Sequence, residues 1–203
     1  MRIGIDFDNT IANYDGVFFQ AALEKDLIPN NLNSSKNSVR DYLNNNNKKD
    51  AFTELQGYVY GARMDLAKPY DGFNSFLDTA LQQGHTLYIV SHKSKKPLLG
   101  PEYDLHDAAL QFLMNWNIMA DSKIARENIF FEIQKELKIK KIKNLNVDVF
   151  IDDLPDILKL IHNLKNEQRY LFDPHDENRT YQSDFLRFRN WSDIKHSLLM
   201  DLL

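Results

Sequence analysis

Two short apolar runs in this chain end in carboxylates. Arg2-Ile3-Gly4-Ile5 leads into Asp6-Phe7-Asp8-Asn9-Thr10, and Val147-Asp148-Val149-Phe150-Ile151 leads into Asp152-Asp153-Leu154-Pro155-Asp156. Their β-branched and aromatic content reads as buried strand. Residues i and i+2 of a strand point the same way, so Asp6 and Asp8 start from a shared direction where the chain leaves the sheet. Carboxylates that close repel unless a cation lies between them or one is protonated. The pattern suits a divalent-metal site with one carboxylate free to act as nucleophile and another as acid/base. Ligands of open α/β sheets bind at the carboxyl ends of the strands. If the two strands are neighbours, Asp6, Asp8, Asp152 and Asp153 converge, with Asp156 a further candidate. Mg²⁺ takes one or two carboxylates together with waters and phosphate oxygens.

Elements that would position these residues can be read along the chain. Strands are expected at Thr86 to Val90, Asn128 to Ile133 and Tyr170 to Phe172, and a short one at Phe188 to Trp191. Helices are expected at Phe73 to Gln83, stopped by Gly84, at Leu105 to Trp116, at Lys135 to Asn144 and at Asp193 to Leu202. Strands alternating with helices imply an α/β fold, a three-layer Rossmann-like parallel sheet. Residues 14–67 differ in character. They offer a helix at Val17 to Lys25, a short one around Val39 to Leu43 between Asn-rich loops, and one capped by Asp50 that carries Phe52, Leu55, Val59 and Tyr60. They read as a small helical cap inserted after the first strand, with residues 1–13 and 68–203 forming the α/β core.

Asp6-Phe7-Asp8-Asn9-Thr10 resembles the DxDxT signature of the haloacid dehalogenase-like (HAD) superfamily, whose commonest members are Mg²⁺-dependent phosphatases. Leu87-Tyr88-Ile89-Val90-Ser91 resembles its second signature, an apolar strand ending in Ser or Thr. Ile151-Asp152-Asp153 with Asp156 resembles its fourth. The resemblance covers most of the chain and implies a phosphomonoesterase working through an aspartyl-phosphate. Asp6 would be the nucleophile and Asp8 the general acid/base. Thr10 would orient the loop and support phosphate binding. Ser91 would donate to a phosphate oxygen, with His92 and Lys93 as further substrate contacts. Asp6, Asp8, Asp152 and Asp153 would hold the metal.

The family also needs a lysine to neutralise the phosphate and the carboxylates. Lys135, Lys138, Lys140, Lys141 and Lys143 all precede the second acidic strand. Lys138 is the choice, with Lys141 next because it shares a helical face with Lys138. Each assignment has an ordinary alternative. Asp6 could be a structural strand-end residue, and Thr10 a turn residue bonding its own backbone. Asp153 and Asp156 could cap a helix, and His92, Lys93 and His175 could be exposed loop residues.

The 203 residues suffice for one α/β core and a modest second unit. A net charge of −4 gives no case for a nucleic-acid polymer or a membrane surface. Cysteine is absent, so neither disulfides nor thiolate metal ligation are available, which is compatible with a cytoplasmic setting. No signal peptide or membrane span is expected. The expected partner is a small phosphorylated metabolite, such as a sugar phosphate or a nucleotide; the acidic ending of the last signature is nucleotidase-like. A catalytically weak binding or regulatory protein on the same fold, and a phosphotransferase or phosphomutase, are the alternatives.

Overall fold

Strand β1, Arg2–Ile5, is the centre from which the sheet is built. The computed structural model describes residues 1–179 and 185–200. Later strands are β4 (Thr86–His92), β5 (Ile129–Glu132), β6 (Val149–Asp152), β7 (Arg169–Phe172) and β8 (Leu186–Phe188); the two-residue β2 (Ala12–Asn13) and β3 (Lys68–Pro69) lie outside this sheet. Strand order in the sheet is β5-β4-β1-β6-β7-β8, and every pairing is parallel. The chain steps outward from β1 through β4 to β5, then returns to the other side of β1 for β6. That reversal is the topological switch at which open sheets bind ligands.

Chain order gives helices α1 (Val17–Glu24), α2 (Lys36–Asn45), α3 (Lys49–Tyr60), α4 (Phe73–Gln82), α5 (Leu105–Asn115), α6 (Lys135–Asn144), α7 (Pro155–Leu160) and α8 (Trp191–Lys195). Helices cover both faces of the sheet. On one face Ile142 of α6 and Ile157 and Leu158 of α7 pack with Tyr88, Val90, Phe150 and Leu171. On the other, Phe73 and Phe76 of α4 meet Trp191 of α8, whose ring also lies 5.5 Å from that of Phe172. The expected three-layer α/β arrangement is therefore what the chain forms. Among the described residues no helix is long and apolar enough to cross a membrane.

The chain divides into two compact units. The first holds Met1–Ala12, Pro69–His92 and Asn117–Leu203; the second holds Asn13–Lys68 and Lys93–Trp116. The second unit thus starts where the cap was expected, but it also takes in residues 93–116, which the sequence reading kept in the α/β core. The reason is packing: α5 lies against α3 and against the turn at Met64–Leu66, elements distant in sequence. Inside this unit Tyr14, Phe18, Phe52 and Tyr60 form one aromatic cluster, with Phe18 5.9 Å from Phe52 and 5.7 Å from Tyr60.

Several boundaries moved. The helix expected around Val39 to Leu43 extends over Lys36–Asn45, because the Ser35 side chain accepts from the Ser38 amide and caps it. Asp50 lies in the first turn of α3 rather than at its cap. The strand expected at Phe188 to Trp191 ends at Phe188, since Asn190 accepts from the Asp193 amide and starts α8 at Trp191. After α8 the backbone widens into a π turn over His196–Met200; the end of the helix expected to Leu202 lies outside the described residues.

Candidate active site

Register brings the two acidic strand ends together. Ile5 pairs with Ile151, and the Asp6 amide donates to the Ile151 carbonyl at 2.9 Å, so Asp6 and Asp152 stand side by side where β1 and β6 finish. Alternation aims them. Gly4 pairs with Phe150, and a Cβ added at Gly4 would stand 2.6 Å from the Phe150 ring, so both residues use one face of the sheet. Two residues on, Asp6 and Asp152 share that face. Helix α6 covers it and buries only Lys138 and Ile142 of its length.

Lys138 is 1% exposed, and its Nζ donates to Asp6 Oδ1 at 2.5 Å and to Asp152 Oδ2 at 2.6 Å. The ammonium also sits 5.6 Å from the Phe150 ring centroid. Of the two lysines weighed from sequence, Lys141 instead reaches Glu132 at 3.7 Å and lies over the Phe130 ring. Asp153 joins the cluster: Asp6, Asp152 and Asp153 each offer a carboxylate oxygen within 4.8 Å of the others. Asp156 is exposed in the first turn of α7, where an acid suits the helix N-terminus.

Burial pushes the Asp6 carboxyl up to about 7, against the pull of Lys138 and with the help of the Asp152 charge. Burial, then Asp152 and Asp6, likewise raise Asp153 well above the usual carboxylate range. The ammonium of Lys138 is held in its charged form by Asp152 and Asp6, which outweigh its burial. Lys138 is thus the one cation hydrogen-bonded within this cluster of three carboxyls, and ionising all three would leave a surplus of negative charge on hard oxygen donors. That donor set fits a divalent cation such as Mg²⁺.

Asp8 lies outside this carboxylate cluster. Strand β1 itself ends at Ile5, so Asp6 and Asp8 both belong to the turn that follows it. The Phe7 carbonyl accepts from the amides of Ile11 and Ala12, and Asn9 takes a left-handed φ of 57°. The Asp8 charge still contributes to raising Asp6. Thr10 is fully buried, and its carbonyl accepts from the Trp191 indole at 3.0 Å, which ties the loop to α8. Ser91 is 1% exposed near the end of β4, two residues past the Ile5–Ile89 pair. His92 is exposed at the strand's last position. Lys93 belongs to the second unit.

One acid went unread. Asp173, at the carboxyl end of β7, is 3% exposed and accepts from the amides of Glu177 and Asn178 at 3.0 Å each. Arg187 of β8 reaches both Asp173 and Asp176. The signal was present: Tyr170-Leu171-Phe172-Asp173 repeats the strand-then-acid pattern a third time. Both its carboxylate oxygens hold the following loop. His175 in that loop is exposed.

No protein-family model matches the chain, and no curated protein matches it in sequence. Solved structures do match in fold. A HAD family hydrolase from Deinococcus radiodurans, with bound phosphate and sodium, has a TM-score of 0.60 at 13% identity, covering 97% of this chain and 94% of that one. A HAD-superfamily hydrolase of subfamily IA from Geobacter sulfurreducens scores 0.57 at 13% identity, covering 100% and 95%. A predicted phosphatase from Clostridium acetobutylicum scores 0.59 at 16% identity, covering 98% and 97%. The chain thus has the fold of the HAD-superfamily hydrolases over its whole length.

Proposed function

We propose that this protein is a Mg²⁺-dependent phosphomonoesterase that hydrolyses a small phosphorylated metabolite, such as a sugar phosphate or a nucleotide, through an aspartyl-phosphate. The observation that carries the reading is the Lys138 bridge, at 2.5 and 2.6 Å, between Asp6 and Asp152 at adjacent strand ends. It holds Asp6 by Oδ1 and leaves Oδ2 for attack. Asp6, Asp152 and Asp153 would hold the cation. Bound there, Mg²⁺ would offset the carboxylates and stabilise charge on the phosphoryl oxygens.

The chain's own residues then account for the two half-reactions. Asp6 Oδ2 forms a bond to phosphorus as the ester P–O bond breaks, and Asp8 gives its proton to the departing alkoxide oxygen. Water next attacks the phosphorus, losing a proton to Asp8, and the P–O bond to Asp6 breaks to release phosphate and restore both carboxyls. Lys138 fixes the nucleophile and compensates charge throughout, and the Ser91 hydroxyl donates to a phosphoryl oxygen. The predicted phosphatase from Clostridium acetobutylicum, similar in fold, is consistent with this reading. The test is phosphate release from a panel of sugar phosphates, nucleotides and simple aryl esters, with Mg²⁺ and with chelator. Release should need Mg²⁺ and vanish in excess chelator. Full activity of a metal-free preparation would reject the metal, and an inactive panel with Mg²⁺ would reject the hydrolase.

A further inference from the structure

Trp191, the first residue of α8, is the largest fully buried side chain among the described residues. Three rings set its orientation. Phe73 and Phe76 of α4 each lie 4.9 Å away between centroids, and Phe172 at the end of β7 lies 5.5 Å away. A buried indole still needs an acceptor for its N–H. Here Nε1 donates to the Thr10 carbonyl at 3.0 Å, across 181 residues of sequence. The Thr10 hydroxyl is itself buried and makes no hydrogen bond among the described residues, so the tie to α8 runs through the backbone. Every residue in this contact belongs to the first unit.

Thr10 lies two residues past Asp8, in a turn that closes on itself. The Phe7 carbonyl accepts from the Ile11 amide at 3.0 Å and from the Ala12 amide at 2.9 Å, and the Asn9 amide donates to the Ala12 carbonyl at 3.0 Å. These internal bonds make the turn one piece, so a shift at Thr10 is carried to Asp8. Outside donors hold it at two adjacent carbonyls. The Tyr70 amide reaches that of Ile11 at 3.0 Å, and the indole reaches that of Thr10. Thr10 is fully buried, so without the indole N–H its carbonyl would lose its partner out of reach of solvent, and the turn would move to regain one. A displacement of about 1 Å can cost about 10²-fold in rate. We propose that Trp191 is a positioning residue: through the Thr10 carbonyl, its indole fixes the turn that carries Asp8. The kinetic consequence rests on the phosphatase reading, in which Asp8 is the general acid/base, whereas the hold on the turn does not.

The experiment compares three forms of the full chain with the wild type. Trp191→Phe keeps a ring in the aromatic cluster and removes the donor. A second form carries at position 191 a tryptophan analogue with sulfur in place of the N–H, which preserves shape and volume. Ile194→Val trims a buried side chain of the same helix and keeps the indole. Amide hydrogen exchange at Ile11 and Ala12 should quicken at least tenfold in the first two forms and not in Ile194→Val. Unchanged exchange in the sulfur analogue would overturn the proposal, and this form also decides the matter if Trp191→Phe does not fold. The kinetic arm uses p-nitrophenyl phosphate with Mg²⁺. This ester needs little protonation of its leaving group, so a misplaced Asp8 should slow hydrolysis of the phospho-enzyme more than its formation. Both donor-free forms should then lose at least tenfold in kcat, keep kcat/KM within about threefold and show a burst of phenol, with Ile194→Val like the wild type. An equal loss of kcat in Ile194→Val would reduce Trp191 to packing and overturn the role, as would an unaltered kcat in the sulfur analogue. A wild type that hydrolyses no ester would remove the phosphatase reading and the kinetic role with it, while the exchange result still decides whether the indole holds the turn.

Discussion

Asp6 and Asp8 are separable at the level of single atoms. Asp6→Asn should abolish turnover, because the amide cannot form the phospho-enzyme, while stability holds or rises as carboxylate repulsion is relieved. On the proposed mechanism, Asp8→Asn keeps the nucleophile while the water loses its base, a loss of about 10² to 10⁴-fold. With a good leaving group, phosphorylation should suffer less than hydrolysis, so stopped-flow should record a burst of phenol and mass spectrometry a phosphorylated chain. Asp6→Asn should show neither, and wild-type turnover of Asp8→Asn with no mass shift would remove its role. The raised carboxyls give a second expectation. Asp6 titrates near 3.8 when unfolded and about 7 when folded, so between these values the native state binds more protons. Unfolding free energy must then fall as pH rises through that window, and Asp153 adds the same sign. In chelator, the melting temperature should decline from pH 4 to 7, and Asp6→Asn should flatten the decline. An identical slope in both proteins would contradict the assigned shift. The sequence disclosed which acids meet at the strand ends, since strand-then-acid is a local pattern. It left Lys138 and Lys141 nearly equal, because with five lysines on one helix only the rotation of α6 on the sheet decides which is buried.

At the scale of elements, the site depends on how closely β1 and β6 approach α6. Gly4 is the residue that permits it. An alanine there would press its methyl to within 2.6 Å of Phe150, whose ring lies beside the Lys138 ammonium. Phe150 is fully buried and has little space to retreat. Gly4→Ala should therefore cost about 1–3 kcal/mol, the usual penalty of overpacking, read as a lower urea midpoint at constant slope. It should also lower kcat, since a displaced Phe150 disturbs the lysine that bridges Asp6, the proposed nucleophile, to Asp152. An unchanged midpoint would show that β1 and β6 have slack the packing does not suggest. Most elements were legible here. Lys135–Asn144 was read to the residue, because its lysines leave one apolar stripe. The end of the chain was not, because Asn190 caps a helix at a point where the aromatic run continues strand character.

On the scale of the whole molecule, the chain enters the second unit twice, at Asn13 and again at Lys93. Residues 14–67 read as an insertion because they are locally helical and Asn-rich, whereas 93–116 resembled any crossover of an α/β core. Local pattern cannot distinguish a crossover helix packed on the sheet from one packed on a distant insertion. The distinction is physical and can be tested by deletion. Helix α5 buries Leu105, Ala109, Phe112 and Leu113, and it packs on α3 and on the turn at Met64–Leu66. Removing residues 14–67 alone takes those partners away and exposes an apolar face, a source of aggregation. Removing 14–67 and also replacing 94–115 by a short flexible linker takes the face away with its partners, and the cost of the new loop grows only slowly with its length. The single deletion should be insoluble or poorly dispersed in amide spectra. The double deletion should remain soluble and keep the parallel sheet. A single deletion that folds while the double deletion does not would mean that α5 belongs with the sheet, and that the boundary read from sequence at residue 68 was the physical one.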